Sequence, residues 1–368
     1  MNKKVRHVLG ISGGKDSAAL AIYLHQKYPQ LDIEYYTCDT GKELQETYDL
    51  ITRLEGYLGK KITLLEAAKT ETQDPFDFLY QSFGGYLPSS NARWCTKYLK
   101  LQPFEQFVGD DLVVSYVGIR GDEDREGYIS KKPNIQSIFP FRKNIWSEDV
   151  INKVLKNENI PAIKEIYEFN TSGKNLERII QTVQQPVSIR FSVHQKLNLL
   201  LDLGTREFNK VVFEFLKTTN YPLAHLTEFA LCDNEDVLGR EDIFSLLRDS
   251  GVGVPAYYEK IGFEVDGKKG EYARSRSGCY FCFFQQKIEW VWLYEQHPEK
   301  FKQAMEYENE KEGFTWNQNE SLQQLIKPKR IETIKTEFLN RNKTKAKSPY
   351  LLDVLDDTEM EGCAACFI

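Results

Sequence analysis

Three groups of residues in this chain have the types and spacing to do chemistry together. The first is Ser12-Gly13-Gly14-Lys15-Asp16-Ser17, which joins the apolar run Val5–Ile11 directly to an amphipathic segment. Two glycines allow a tight turn, and backbone N–H groups at the start of a following helix favour an anion. The spacing is not that of a Walker A loop, because Lys15 is followed by Asp16 and not by a hydroxyl residue. A glycine turn without a ligand would need neither the two serines nor Asp16. The second group is Cys279-Tyr280-Phe281-Cys282, inside a stretch that also carries Arg274 and Arg276. A Cys-x-x-Cys pair can tie two thiolates to one metal or act as a redox couple, and flanking arginines would lower the thiol pKa values. The third group lies at the ends of two apolar runs: Asp39-Thr40-Gly41 with Glu43, and Gly118-Ile119-Arg120 with Asp122, Glu123 and Arg125.

These residues need elements to hold them. Val5–Ile11, Ile33–Thr37, Lys61–Leu65 and Leu112–Ile119 read as strands, with helices at about 17–27 and 43–58 between the first three. Strands separated by helix-length segments imply parallel βαβ units. The expected fold is therefore α/β, an open and mainly parallel sheet with helices on both faces. Ligands sit beyond the carboxyl ends of such strands, where the first and third groups fall. Further on, Leu197, Leu200 and Leu201, then Phe208, Val211, Val212, Phe215 and Leu216, recur at helical spacing and read as core. The expected division is 1–162 for the α/β domain that carries the anion-binding loop and 163–235 for a helical insertion. The Cys-x-x-Cys knuckle with its packing helix takes 236–310, and a basic helical segment with an acidic, cysteine-containing tail takes 311–368.

Composition narrows the class. The chain has 368 residues, 41% hydrophobic, with a formal charge of −6, enough for a sizeable core and too acidic for a generally basic coat. No apolar run of about 18 residues and no signal-peptide pattern is present, so a soluble cytoplasmic protein with no membrane partner is expected. Seven cysteines in that setting point to metal or redox work. A second Cys-x-x-Cys pair is Cys363/Cys366, while Cys38, Cys95 and Cys232 stand alone. Between Lys327 and Lys347 eight Lys or Arg face two Glu, which reads either as a solvated helix face or as a nucleic-acid contact.

The pattern Ser-Gly-Gly-x-Asp-Ser after a first strand resembles the PP-loop of ATP pyrophosphatases. Asp39-Thr40-Gly41-Lys42-Glu43, Arg93-Trp94-Cys95-Thr96 with Lys100, and Gly118-Ile119-Arg120 resemble successive elements of the phosphoadenosine phosphosulfate (PAPS) reductase family. Gly121 and Asp124 depart from its pattern, and Arg125 comes two residues early. The Gly278-Cys279-Tyr280-Phe281-Cys282 knuckle resembles the DNA phosphorothioation proteins of the DndC and SspD type. This resemblance implies ATP and Mg²⁺ as ligands. Ser12, Gly13, Gly14, Lys15, Asp16 and Ser17 would grip the pyrophosphate, and Ser12, Lys15, Asp16 and Arg120 would be catalytic. Asp39, Thr40, Gly41, Gly118 and Arg125 would complete the nucleotide site. It further implies a [4Fe–4S] cluster on Cys95, Cys279 and Cys282, with zinc as the alternative and Cys232, Cys363 or Cys366 as a fourth ligand. The implied activity is an ATP pyrophosphatase that adenylates a substrate oxygen so that sulfur can replace it in the DNA backbone. DNA, a cysteine desulfurase and other DNA-modification proteins would be its partners, with an oligomer left open. A reductase of adenylyl sulfate or PAPS, a tRNA thiolase and a non-catalytic ATP-binding scaffold are the alternatives.

Overall fold

The apolar run after the N-terminus becomes β1 (Val5–Gly10), the middle strand of a five-stranded sheet. The structure is a computed structural model that describes residues 4–67, 73–124, 130–317 and 320–347. The other strands are β2 (Ile33–Asp39), β3 (Ile62–Glu66), β4 (Leu112–Tyr116) and β5 (Ile135–Ile138), in the order β3-β2-β1-β4-β5 with every neighbour parallel. Parallel pairing demands crossovers. Two are α1 (Lys15–Lys27) and α2 (Gln45–Leu58); a third runs through α3 (Pro75–Ser82), α4 (Trp94–Thr96), a π-helical turn at Lys97–Leu101 and α5 (Gln102–Val108). Alternate β1 residues face opposite layers. Leu9 packs with Leu20, Leu24 and Leu54 from α1 and α2, whereas Val8 packs with Tyr36, Phe104 and Val108 on the α5 side. Both faces are covered, as the α/β expectation required.

Strand β5 is not among the expected strands. Its four residues include buried Gln136 and Ser137, so no apolar alternation marks it. β4 ends at Tyr116, three residues earlier than its β-branched run suggests, because Val117–Gly121 turns away beneath the first loop.

After α6 (Glu148–Val154) the chain builds α7 (Ile160–Asn170), α8 (Leu176–Gln184), α9 (Val193–Leu203) and α10 (Thr205–Leu216). Ser192 starts α9 with a reciprocal capping box to Gln195. The leucine and aromatic stripes of α9 and α10 are buried, and they join the core that α1 shares with the sheet. Trp146 Nε1 donates to Asn209 Oδ1 at 2.9 Å and pins α10 to the strand layer. The chain then returns through α11 (Arg240–Asp249), which packs on α1.

The C-terminal part builds a second core, which Leu44, Phe76, Trp94 and Leu99 join from the N-terminal half. A hairpin of β6 (Ile261–Val265) and β7 (Lys268–Tyr272) turns at Asp266-Gly267, both at positive φ, the geometry favoured by a two-residue hairpin. It packs with α12 (Lys287–Gln296), α13 (Pro298–Glu306), α14 (Leu322–Leu325) and α15 (Pro328–Lys347) around Trp290, Phe301, Trp316, Ile334 and Leu339. Some of the basic charge of α15 is spent internally, in Arg330–Glu320 and Lys335–Glu295 pairs, both at 2.6 Å. Among the described residues no helix is long and apolar enough to cross a membrane.

Candidate active site

The loop after β1 is braced by its own serines. Ser17 Oγ accepts from Ser12 N at 3.1 Å, lies 3.1 Å from Ser12 Oγ and donates to the Gly14 carbonyl at 3.3 Å. Gly13 sits at φ +72°, and a Cβ there would meet the Thr47 methyl at 2.2 Å, so this position admits only glycine. A Cβ on Gly118 would lie 2.9 Å from the Asp16 carbonyl oxygen, which shows how closely the turn after β4 abuts the start of α1.

Behind the loop lies a closed set of charges. Lys15, Asp16 and Arg120 are 2%, 5% and 4% exposed. Arg120 Nη1 donates to Asp16 Oδ1 at 3.1 Å and pairs with Glu123 Oε1 at 2.8 Å, while its Nε donates to Asp122 Oδ1 at 2.8 Å. Lys15 Nζ is 3.3 Å from Asp16 Oδ2 and 5.0 Å from the centre of the Tyr258 ring. In this arrangement Arg120 and Asp16 neutralise one another and fix the start of α1. Arg125 lies outside the described residues.

The loop is covered by a segment some 240 residues downstream. Tyr257 Oη donates to the Gly13 carbonyl at 2.8 Å, and Tyr258 Oη accepts from Lys15 N at 3.4 Å. Ser277 Oγ would come within 2.6 Å of a Cβ on Gly14. Sequence reasoning missed all three as neighbours of the loop. The basic knuckle was visible, but nothing local says that it and the segment before it fold back onto the loop.

One cavity reaches the loop, and a second shares a wall with the first. The first, of about 90 Å³, is lined by Ser12, Asp39, Glu43, Tyr48, Leu64, Lys100 and Gly278, with Cys38, Ile51 and Ile62 among the rest. Asp39 Oδ1 accepts from Gly41 N at 2.8 Å and Tyr48 Oη at 2.9 Å. Thr40 Oγ1 donates to Glu43 Oε1 at 2.7 Å. Burial, with Asp39 beside it, pushes the Glu43 carboxyl up to about 7, and burial pushes the Cys38 thiol up to about 12. Apolar Ile62 and Leu64 beside carboxyl and hydroxyl groups suit a base and a ribose.

The second cavity, of about 40 Å³, is lined by Cys95, Cys279 and Cys282 with Thr40, Lys100 and Gly278 and a wall of aromatic rings. Residues far apart in sequence thus meet here, and Lys100 and Gly278 line both cavities. Cys279 Sγ lies 3.1 Å from Thr40 Oγ1 and 4.0 Å from Glu43 Oε1. The expectation that flanking arginines lower the knuckle thiols fails at Cys279: burial, then Glu43, push this thiol up. Cys232 lies in the helical core with its Sγ 3.8 Å from the Asn209 carbonyl and lines a different cavity, so it is not a fourth ligand. Cys363 and Cys366 lie outside the described residues.

Arg274 tests whether this cavity suits an anionic metal group. It is 2% exposed, donates from Nη2 to the Cys279 carbonyl and to Gln285 Oε1, each at 3.1 Å, and leaves Nε and Nη1 without a partner. This buried cation holds the Cys279 backbone, with its guanidinium carbon 5.8 Å from the Tyr257 ring centre and 6.0 Å from that of Trp292, and it does not line the cysteine cavity. The fit to a metal rests on the three thiols alone, whose soft donors suit a thiolate-bound centre. The thiols do not yet converge: among the described residues no group of three or more His, Cys, Asp or Glu side chains is placed to hold a metal ion.

This architecture coincides with a sequence match. Residues 6–169, the sheet with its loop and the first helices after it, match the model of the phosphoadenosine phosphosulfate reductase domain. Together with the reductase relative below, this likens the sheet region to the PAPS reductase domain. Among curated proteins, the uncharacterised MJ0066 of Methanocaldococcus jannaschii is 31% identical over 153 residues, covering 38% of this chain and 30% of that protein. MJ0973 of the same organism, also uncharacterised, is 24% identical over 169 residues, 43% of this chain and 39% of its own. An adenosine 5'-phosphosulfate reductase of Staphylococcus haemolyticus is 26% identical over 162 residues, 42% of this chain and 62% of the reductase. The chain therefore spans less than two thirds of each relative. No solved structure matches it.

Proposed function

We propose that this protein is an AMP-forming ATP pyrophosphatase that activates a backbone oxygen of DNA for replacement by sulfur. The observation that carries the reading is the shared wall: Lys100 and Gly278 line both the cavity that reaches Ser12 and the cavity that holds Cys95, Cys279 and Cys282. A substrate activated in one cavity stands next to sulfur held in the other. A phosphodiester oxygen attacks the α-phosphorus of ATP, and pyrophosphate leaves. A sulfur nucleophile at the hydrosulfide level then attacks the substrate phosphorus, and AMP departs with the original oxygen, so no net redox change occurs.

The chain's contribution is placement and electrostatics, which carry most phosphoryl-type catalysis. Backbone N–H groups of Gly13–Lys15 and the Ser12 hydroxyl would meet the pyrophosphate, giving up the long 3.4 Å contacts of Gly14 N with Ser12 Oγ and of Lys15 N with Tyr258 Oη. The buried Lys15–Asp16–Arg120 set keeps the loop in shape. Asp39 and Glu43 are the carboxylates beside the cavity for Mg²⁺, and Lys100 faces the charge that develops between the two chambers. Cys95, Cys279 and Cys282 would hold an iron–sulfur cluster or zinc, which when bound would supply a site for sulfide. A cysteine desulfurase would deliver the sulfur.

The similarity to an adenosine 5'-phosphosulfate reductase favours one second reading, reductive release of sulfite from adenylyl sulfate. The two separate cleanly. Anaerobic protein is incubated with ATP, sulfide and DNA, and the digested DNA is searched by mass for phosphorothioate-linked dinucleotides. Their formation supports the proposal; sulfite from adenylyl sulfate with no modified DNA supports the reductase.

A further inference from the structure

The wall of the cysteine cavity ends in a pair of aromatic rings with arginines over one of them. Phe283 and Phe284 both line the cavity, and their ring centres are 4.4 Å apart. The guanidinium carbon of Arg93 stands 5.0 Å from the centre of the Phe284 ring, and that of Arg276 stands 5.7 Å from the same centre. These arginines come from distant segments, Arg93 two residues before Cys95 and Arg276 three before Cys279. Arg93 is exposed, and Lys97 adds a further exposed cation on the same turn. Arg93 Nε also donates to the Ser90 carbonyl at 3.1 Å, which fixes this cation over the half-buried Phe284 ring at the edge of the cavity.

We infer that this rim holds an unpaired nucleotide of the nucleic-acid substrate. The inference rests on the reading above that the substrate is a polynucleotide, and it specifies the state of the strand. Arg93 and Arg276 meet the phosphates on either side of the reacting linkage, and a base stacks on the outer face of the packed Phe283–Phe284 pair, whose ring centres at 4.4 Å leave no room between them. Aromatic platforms beside arginines are the general solution for single strands, because every base offers a π-face. A paired base cannot reach such a platform, so duplex must open or flip a nucleotide first. The charge of −6 leaves little non-specific attraction, which makes these local cations decisive.

The test is fluorescence anisotropy of a labelled single-stranded 12-nucleotide DNA and of its duplex, with full-length wild type, Arg93→Gln, Phe284→Leu and Phe284→Ala, thermal melting confirming that each is folded. Single strand is expected to bind at least tenfold more tightly than duplex. Arg93→Gln should weaken it about fivefold and reduce the slope of log affinity against log salt by about 0.7. Phe284→Leu, the variant closer in volume, should cost at least fivefold. Duplex binding equal to single strand, a salt slope unchanged in Arg93→Gln, or no binding by wild type would overturn the inference. The broader reading is judged separately by modified linkages: their formation with a rim that fails these tests would sink the rim alone, and their absence together with sulfite production would sink the reading itself.

Discussion

Replacing Arg120 with methionine separates two roles for this residue. In the structure its guanidinium is held by Asp16 and Glu123, whose side chains are 7% and 3% exposed, and by the half-exposed Asp122. Removing one partner of a buried ion pair costs about 3–5 kcal/mol, because the other charge stays buried. The Asp122 contact adds less than about 1 kcal/mol. Asp16 keeps Lys15 at 3.3 Å, which points to the lower end, about 3 kcal/mol. Urea denaturation followed by tryptophan fluorescence reads this directly, and Arg120→Met combined with Glu123→Gln should recover a good part of the loss, since the second change removes a stranded charge. A phosphate-binding arginine behaves oppositely: its loss leaves stability intact and removes ATP affinity. Stability within about 0.5 kcal/mol of wild type, with ATP binding lost, would refute the reasoning.

Gly13→Ala forces a side chain into positive φ and onto the Thr47 methyl 2.2 Å away. It should abolish pyrophosphate release in a protein that still folds, and Thr47→Ser, which deletes that methyl, should restore part of the activity; full activity in the single variant would contradict the loop geometry. The Cys38 and Cys232 thiols, both pushed up to about 12 by burial, should resist iodoacetamide at pH 8 in the native protein and react after unfolding, as peptide mass mapping would show. Burial lowers the His7 pKa, and its Nδ1 lies 2.8 Å from Tyr116 Oη. Its contribution to stability is therefore complete above the unfolded value of about 6.5 and is lost as pH falls through the lower folded value. Denaturation midpoints should drop between pH 7.5 and 5.5 in wild type and less in His7→Phe; equal drops would rule out this histidine as a source.

The strand, loop and helix at Val5–Lys27 were legible because each local cue agrees: an apolar run, two glycines, then helical spacing. The meeting of Cys95 with Cys279 and Cys282 came only through the family resemblance, since spacing alone cannot bring such distant residues together. Four features were not legible, for physical reasons. β5 pairs along an edge through polar residues, so burial leaves no pattern in it. Tyr257, Tyr258 and Ser277 cover the loop through long-range packing that no local rule encodes. An arginine after a strand looks the same whether it faces a phosphate or, like Arg120, three carboxylates. The direction of the Cys279 shift was likewise hidden, because sequence shows the neighbouring arginines but not the burial that outweighs them. The Asp266-Gly267 hairpin, by contrast, carried a plain turn signal that could have been read.

The measurement that bears most directly on the central claim is pyrophosphate and AMP release from ATP by anaerobically purified protein with its iron and zinc quantified, with and without DNA. The account predicts pyrophosphate release stimulated by DNA, with equimolar AMP once sulfide is added. No pyrophosphate with DNA and sulfide present, alongside sulfite formed from adenylyl sulfate, would contradict it.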